Sequence, residues 1–170
     1  MTAKWWVPAF IGLGSNLDGP GQQIAAAIEG LATIEQTRVW RTSPIYRSAP
    51  MGPQDQPDYL NAVTALLTRL APRALLGALQ QLEQSQGRVR DGRRWGPRRI
   101  DLDLLLHGDT VVSGSDLVLP HPGLTDRVFV LAPLADLAPE RRLPDGKTVR
   151  VHLAAHDRGQ IQQQEEPGTS

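Results

Sequence analysis

Asp101 and Asp103 stand two apart in the segment Ile-Asp-Leu-Asp-Leu-Leu-Leu at 100–106. In an extended strand alternate side chains share a face, so both carboxylates project together while Ile100, Leu102 and Leu104 point the other way. Two acids on one face repel each other unless a cation lies between them. Carboxylate oxygens are hard ligands, and Mg²⁺ commonly takes one or two of them together with substrate phosphates. Alone, an Asp-x-Asp pair reads more readily as the polar side of an amphipathic strand. Its neighbourhood changes that balance. Arg88, Arg90, Arg93, Arg94, Arg98 and Arg99 crowd the preceding loop, opposed only by Asp91 and interleaved with Gly87, Gly92, Gly96, Pro97 and Trp95. Guanidinium forks match phosphate oxygens bidentately, and the glycines let such a loop close over a ligand. A polyphosphate held over a metal is the chemistry this pattern suits; the bland alternative is a solvated basic loop that touches RNA.

Other residues are less pointed. Tyr59 and Asn61 share a strand face by the same alternation. Stacking plus an amide hydrogen bond could grip a flat heterocycle, though a half-buried tyrosine and a strand-edge amide would look the same. Phe129, taken alone, reads as core. His121 sits between Pro120 and Pro122, and four histidines without paired spacing do not suggest zinc. Gln80 and Glu83 are neighbours on a predicted helix, where solvent exposure is the default. Gly12-Leu13-Gly14-Ser15-Asn16 resembles a phosphate-binding turn only superficially. Leu17 occupies the third-glycine position of the dinucleotide pattern, and no lysine supplies a P-loop. The glycines fit close backbone approach, with Asn16 bonding locally or facing a ligand.

The elements that must carry these groups follow from periodicity and punctuation. Residues 7–13 read as a buried strand. Asp18-Gly19-Pro20 supplies cap and first-turn chemistry for a helix near 20–33. Strands are predicted at 37–46, 59–68 and 100–106. A helix opens at Pro72 with Leu75, Leu76, Leu79 and Leu82 on one side. Loops cover 47–58 and 87–99. A weak extended segment lies at 110–112, and a short helix near 127–137. The order matches a ferredoxin-like β-α-β-β-α-β α+β sandwich with a C-terminal extension. One domain over 1–158 is expected, followed by a low-complexity, disordered tail at 159–170.

The 170 residues suit one domain, and 18 basic against 18 acidic side chains leave no net charge. That balance argues against a dedicated binder of nucleic acid or of an anionic membrane. The absence of cysteine excludes disulfides, zinc thiolates and thiol catalysis, and suits a reducing compartment. No apolar run approaches the roughly 20 residues of a membrane span, and the first residues lack a secretory signal. A cytoplasmic location is expected. Lys4 and Lys147 are the only lysines, so 16 of the 18 basic residues are arginine.

Four blocks, in order, resemble the 6-hydroxymethyl-7,8-dihydropterin pyrophosphokinase family. They are Ile11-Gly12-Leu13-Gly14-Ser15-Asn16-Leu17; Ala49-Pro50-Met51-Gly52-Pro53 through Gln56-Pro57-Asp58-Tyr59-Leu60-Asn61; Arg94-Trp95-Gly96-Pro97-Arg98-Arg99-Ile100-Asp101-Leu102-Asp103; and Leu119-Pro120-His121-Pro122 through Arg127-Val128-Phe129-Val130-Leu131. The resemblance spans residues 11–140. It implies transfer of the β,γ-diphosphate of ATP to the pterin hydroxymethyl group, with release of AMP. It implies two Mg²⁺ ions on Asp101 and Asp103, which with Arg88 and Arg98 form the catalytic set. It implies a pterin sandwiched by Tyr59 and Phe129, read by Asn61 and lined by Asn16, Ser48, Ala49, Pro50 and Met51. ATP contacts fall on Gln80, Glu83, Arg88, Trp95, Arg98, Leu104, His121 and Arg127. A monomer with small-molecule substrates, no nucleic acid and no membrane completes the expectation. Two departures stand out: Asp91 where relatives often carry lysine or arginine, and Gly123 where many carry arginine after His-Pro. An RNA-binding domain and a nucleotidyltransferase that releases pyrophosphate are the competing readings.

Overall fold

The computed structural model describes residues 2–17, 19–50, 55–86 and 100–164. The chain runs β1 (Thr2–Ser15), α1 (Pro20–Leu31), β2 (Thr37–Thr42), β3 (Tyr46–Ser48), β4 (Tyr59–Leu70), α2 (Pro72–Ser85) and β5 (Asp101–His107). A small hairpin follows, β6 (Val112–Ser113) with β7 (Val118–Leu119). The last elements are α3 (Val128–Leu137), α4 (Val149–Ala154), a 3₁₀ turn (Arg158–Gln160) and β8 (Ile161–Gln163).

The main sheet is antiparallel. β1 lies between β5 and β4, and β4 pairs on its other side with β3 and, farther along, with β2. The predicted single strand at 37–46 is therefore two short ones. Pro44, which has no N–H to give a ladder, lies in the break, where Ser43 takes over by donating its N–H to Val63 and accepting the Val63 N–H. β1 is longer than the apolar run that marks it. α1 starts from Gly19, whose φ of 73° favours glycine, and no side chain caps it. Asp18, named as part of the cap, lies outside the described residues.

Alternation along the strands feeds two cores. Ala9, Ile11, Leu13, Leu66, Leu102 and Leu104 pack against α1 and α2 through Ile24, Leu31, Leu75 and Leu79. Phe10, Val63, Ala65, Leu105 and Leu106 pack on the opposite face against α3 and α4 through Leu131, Leu134 and Leu153. Helices thus cover both faces of one sheet. A β-bulge makes this possible on β5: Phe10 faces Leu106 and Ile11 faces Leu104, so Leu105 is the extra residue and the strand presents both Leu105 and Leu106 to the second core.

The tail departs from its compositional reading. Instead of disorder from residue 159, Ile161–Gln163 pair with β3, and Asp157 caps the 3₁₀ turn by accepting the Gly159 N–H at 2.8 Å. Polar composition hid a segment whose order comes from backbone pairing. Residues 165–170 lie outside the described residues. Among the described residues no helix is long and apolar enough to cross a membrane.

Candidate active site

A cleft of about 680 Å³, part of it open to solvent, lies where the end of β1 meets the beginnings of β4 and β5. The end of β3 and the first turn of α3 form its walls. Its floor follows from register. Gly14 sits between Asn61 of β4 and Asp101 of β5, and Gly12 sits between Val63 and Asp103. A Cβ on Gly14 would stand 3.5 Å from Asn61 Oδ1 and 3.9 Å from the Tyr59 ring, and one on Gly12 would stand 3.5 Å from Leu105. The two glycines are a bare floor between polar side chains. The Gly-x-Gly segment is strand, which removes the last likeness to a phosphate-binding turn.

Asp101 and Asp103 both line the cleft, as strand alternation requires. The helix side of their strand is anchored by Glu83. Glu83 is 4% exposed, and its carboxylate accepts the N–H of Leu102, the residue between the two aspartates, at 3.3 Å. Solvent exposure is the wrong expectation for Glu83. It continues the buried stripe Leu75, Leu79, Glu83 at intervals of four, and that spacing is visible in the sequence. Gln80, off the stripe, is exposed.

Tyr59, Asn61 and Phe129 line the same cleft, with Ser48 and Ala49 beside them. Asn61 Nδ2 donates to Ser48 Oγ at 2.8 Å, which orients the amide from β3. Tyr59 and Phe129 are each half-buried, so Phe129 belongs to the cleft wall rather than to the interior. Asn16 is buried behind this surface. Its amide donates to Gln56 Oε1 at 3.0 Å and to the Pro57 carbonyl at 3.1 Å, tying the end of β1 to the approach to β4. Both contacts are long-range rather than local, 40 and 41 residues along the chain. Gln56 had no signal in the sequence, because its contact spans 40 residues. Pro50 is buried next to Ala49. Leu104 directs its side chain into the helix-side core.

His121 approaches from the loop after β7. Its Nδ1 accepts the Gly123 N–H at 3.1 Å, and its Nε2 lies 3.9 Å from Asp103 Oδ1. Burial pushes its pKa below the ordinary histidine value; Arg127 adds to that and Asp101 opposes it. With Nδ1 accepting, the neutral ring carries its proton on Nε2, toward the carboxylate pair. Arg127 lines the cleft, and its guanidinium lies over Gly123, where a Cβ would come within 2.6 Å of Nε. Gly123 is thus the room that Arg127 occupies. Met51, Arg88, Trp95 and Arg98 lie outside the described residues.

The donor set suits a hard cation. Two carboxylates on one open face supply part of a coordination sphere and leave the remainder for phosphate and water. A group of three or more potential protein ligands does not occur among the described residues.

Comparison with known proteins places the chain in a family. The family model described as 7,8-dihydro-6-hydroxymethylpterin-pyrophosphokinase (HPPK) matches residues 10–139. The 2-amino-4-hydroxy-6-hydroxymethyldihydropteridine pyrophosphokinase of Pseudomonas aeruginosa is 51% identical over 146 residues, covering 86% of this chain and 90% of that protein. Its Haemophilus influenzae counterpart is 44% identical over 143 residues, covering 84% and 89%. Among solved structures, wild-type Plasmodium falciparum HPPK-DHPS with SDX-DHP superposes with a TM-score of 0.70 at 14% identity, over 88% of this chain and 44% of that one. That likeness speaks to the fold, and this chain spans less than half of that protein. With the matched segment running through the strands that carry Asp101, Asp103, Tyr59 and Asn61, the chain belongs to the 7,8-dihydro-6-hydroxymethylpterin-pyrophosphokinase family.

Proposed function

We propose that the protein transfers the β,γ-diphosphate of ATP to the hydroxymethyl group of 6-hydroxymethyl-7,8-dihydropterin, releasing AMP, as a step of folate biosynthesis. The observation that carries this reading is the shared cleft. Tyr59, Asn61 and Phe129 line the same cleft as the Asp101–Asp103 pair, which supports a slot between the two rings beside the carboxylates. A flat heterocycle in the slot would present its hydroxymethyl group toward a polyphosphate held at the carboxylates. Much of the catalysis of phosphoryl-type transfer is such alignment.

Asp101 and Asp103 are the residues that would hold two Mg²⁺ ions, which when bound neutralise phosphate charge. Arg127 and the Nε2–H of His121 face the same region and would contact phosphate oxygens. The resemblance adds Arg88, Arg98 and Trp95 over the triphosphate, and Met51 beside the pterin. Gln80 would reach ATP from the exposed face of α2, and Leu104 only through its backbone. Glu83 would act by fixing β5. Asn16 and Pro50 would shape the pterin wall from behind. The strand order, with β1 central between β5 and β4 and two helices on one face, supports the ferredoxin-like reading with an added layer formed by α3 and α4. The cysteine-free composition supports a cytoplasmic protein, and the expected form is a monomer.

Incubation with ATP, Mg²⁺ and the hydroxymethyl dihydropterin tests the reading. AMP and pterin diphosphate should form in equal amounts. Release of ADP, release of pyrophosphate, or no nucleotide turnover would each overturn it.

A further inference from the structure

β3 is three residues long and carries one wall of the pterin slot. Ser48 holds the Asn61 amide, and Ala49 follows it into the cleft. So short a strand is held by pairing on both edges. β4 supplies one edge and β8 the other, with Tyr46 opposite Gln163, Arg47 opposite Gln162 and Ser48 opposite Ile161. The Gln164 N–H extends the ladder by donating to the Ile45 carbonyl at 2.8 Å. β8 lies beyond residue 139, where the family match ends.

Side chains bind the same junction. The Tyr46 hydroxyl donates to Asp136 of α3. Ile161 packs against the core formed with α3 and α4. Tyr46 thus joins β3 to the helix that carries Phe129 through Asp136, and to the C-terminal segment through its ladder pairing with Gln163. Both aromatic walls of the slot are tied to it, Phe129 through its own helix and Tyr59 through the Ser48 pairing on β3.

We propose that the C-terminal segment Arg158–Gln163 is a positioning element for the pterin half of the site, setting β3 and with it the Ser48–Asn61 contact. The carboxylate half sits on β5, at the far side of β1 from β3, and does not depend on β8. The inference rests on the proposed transferase activity and predicts a selective defect, in which the KM for pterin changes and the KM for ATP does not.

Gln162 allows a clean test. It is exposed, so its side chain supports nothing, yet it faces Arg47 in the ladder. Hydrogen-bonded pairs alternate in an antiparallel ladder. Since Gln164 donates to Ile45, Gln162 and Arg47 form the next such pair. Gln162→Pro removes that donor, whereas Gln162→Ala keeps it. The expected result is a pterin KM raised about fivefold by Gln162→Pro, the factor for one lost hydrogen bond, with ATP KM within about twofold and Gln162→Ala unchanged. Truncation after Asp157 should raise pterin KM further, and truncation after Gln164 should not. An unchanged pterin KM in both Gln162→Pro and the longer truncation overturns the proposal, as does an equal rise for both substrates. If the unaltered protein does not turn over pterin and ATP, the functional reading fails instead. Should the longer truncation fail to fold, Gln162→Pro alone decides.

Discussion

At the scale of single residues the site is a set of charges placed on a floor of missing side chains. Asp101 and Asp103 need no local partner to bring them together, because strand alternation and the glycines opposite them do so. Replacement of either by Asn keeps the shape and removes one negative charge from the proposed cation site. Turnover should fall by about 10²–10⁴ while the thermal midpoint stays within a few degrees. Activity within tenfold of the unaltered protein in both variants would rule out the carboxylates as the cation site. Gly123 offers a subtler test. A methyl group there would collide with Arg127 Nε, and the flexible side chain, rather than the backbone, should yield. Gly123→Ala should therefore raise the KM for ATP several-fold by displacing Arg127, on the order of one weakened charge-assisted contact. In an Arg127→Ala background the same change should add nothing, so a double-mutant cycle checks the mechanism. Additive effects would show that Gly123 acts by another route.

At the scale of elements, what the sequence disclosed depended on whether the signal was local. The strands at β1, β4 and β5 and the helices α1 and α2 follow from alternation, leucine stripes and proline starts, and they place Asp101, Asp103, Tyr59 and Asn61 correctly. β8 was illegible because Gln-Ile-Gln-Gln has no period to read; its order comes from the edge of β3, more than 110 residues earlier. The split between β2 and β3 was written in Pro44, a residue that cannot donate to a ladder. Glu83 is legible in the sequence once its place on the Leu75–Leu79 stripe is weighed above its charge. Its burial carries a consequence for β5. Glu83→Ala would leave the Leu102 N–H without its acceptor, costing about 1–3 kcal/mol. Glu83→Gln retains a carbonyl acceptor and should cost clearly less. Urea unfolding of the two variants measures the difference, and equal stabilities for all three proteins would show that this contact does not hold the strand.

At the scale of the molecule, the two cores lie on opposite faces of one sheet, so contacts that bind helix, sheet and C-terminal segment at one point matter to the whole. Tyr46 is such a point. It is 2% exposed, stands in the second core and donates to Asp136. Burial first, and then the Asp136 carboxylate, push its pKa up to about 12, while Arg158 pulls the other way. In the unfolded chain a tyrosine ionises near 10. Below that pH both states keep the proton and the group makes no pH-dependent contribution. As pH rises from about 10 toward 12 the unfolded state sheds a proton that the folded state retains, so stability must fall through that window. Tyr46→Phe removes the titration along with the hydrogen bond. The unaltered protein should therefore be the more stable of the two at pH 8, and its advantage should shrink steadily between pH 10 and pH 12. Chemical denaturation at a series of pH values reads this directly. A stability gap that stays constant across the alkaline range would mean that the Tyr46 proton is held no more tightly in the folded protein than in water.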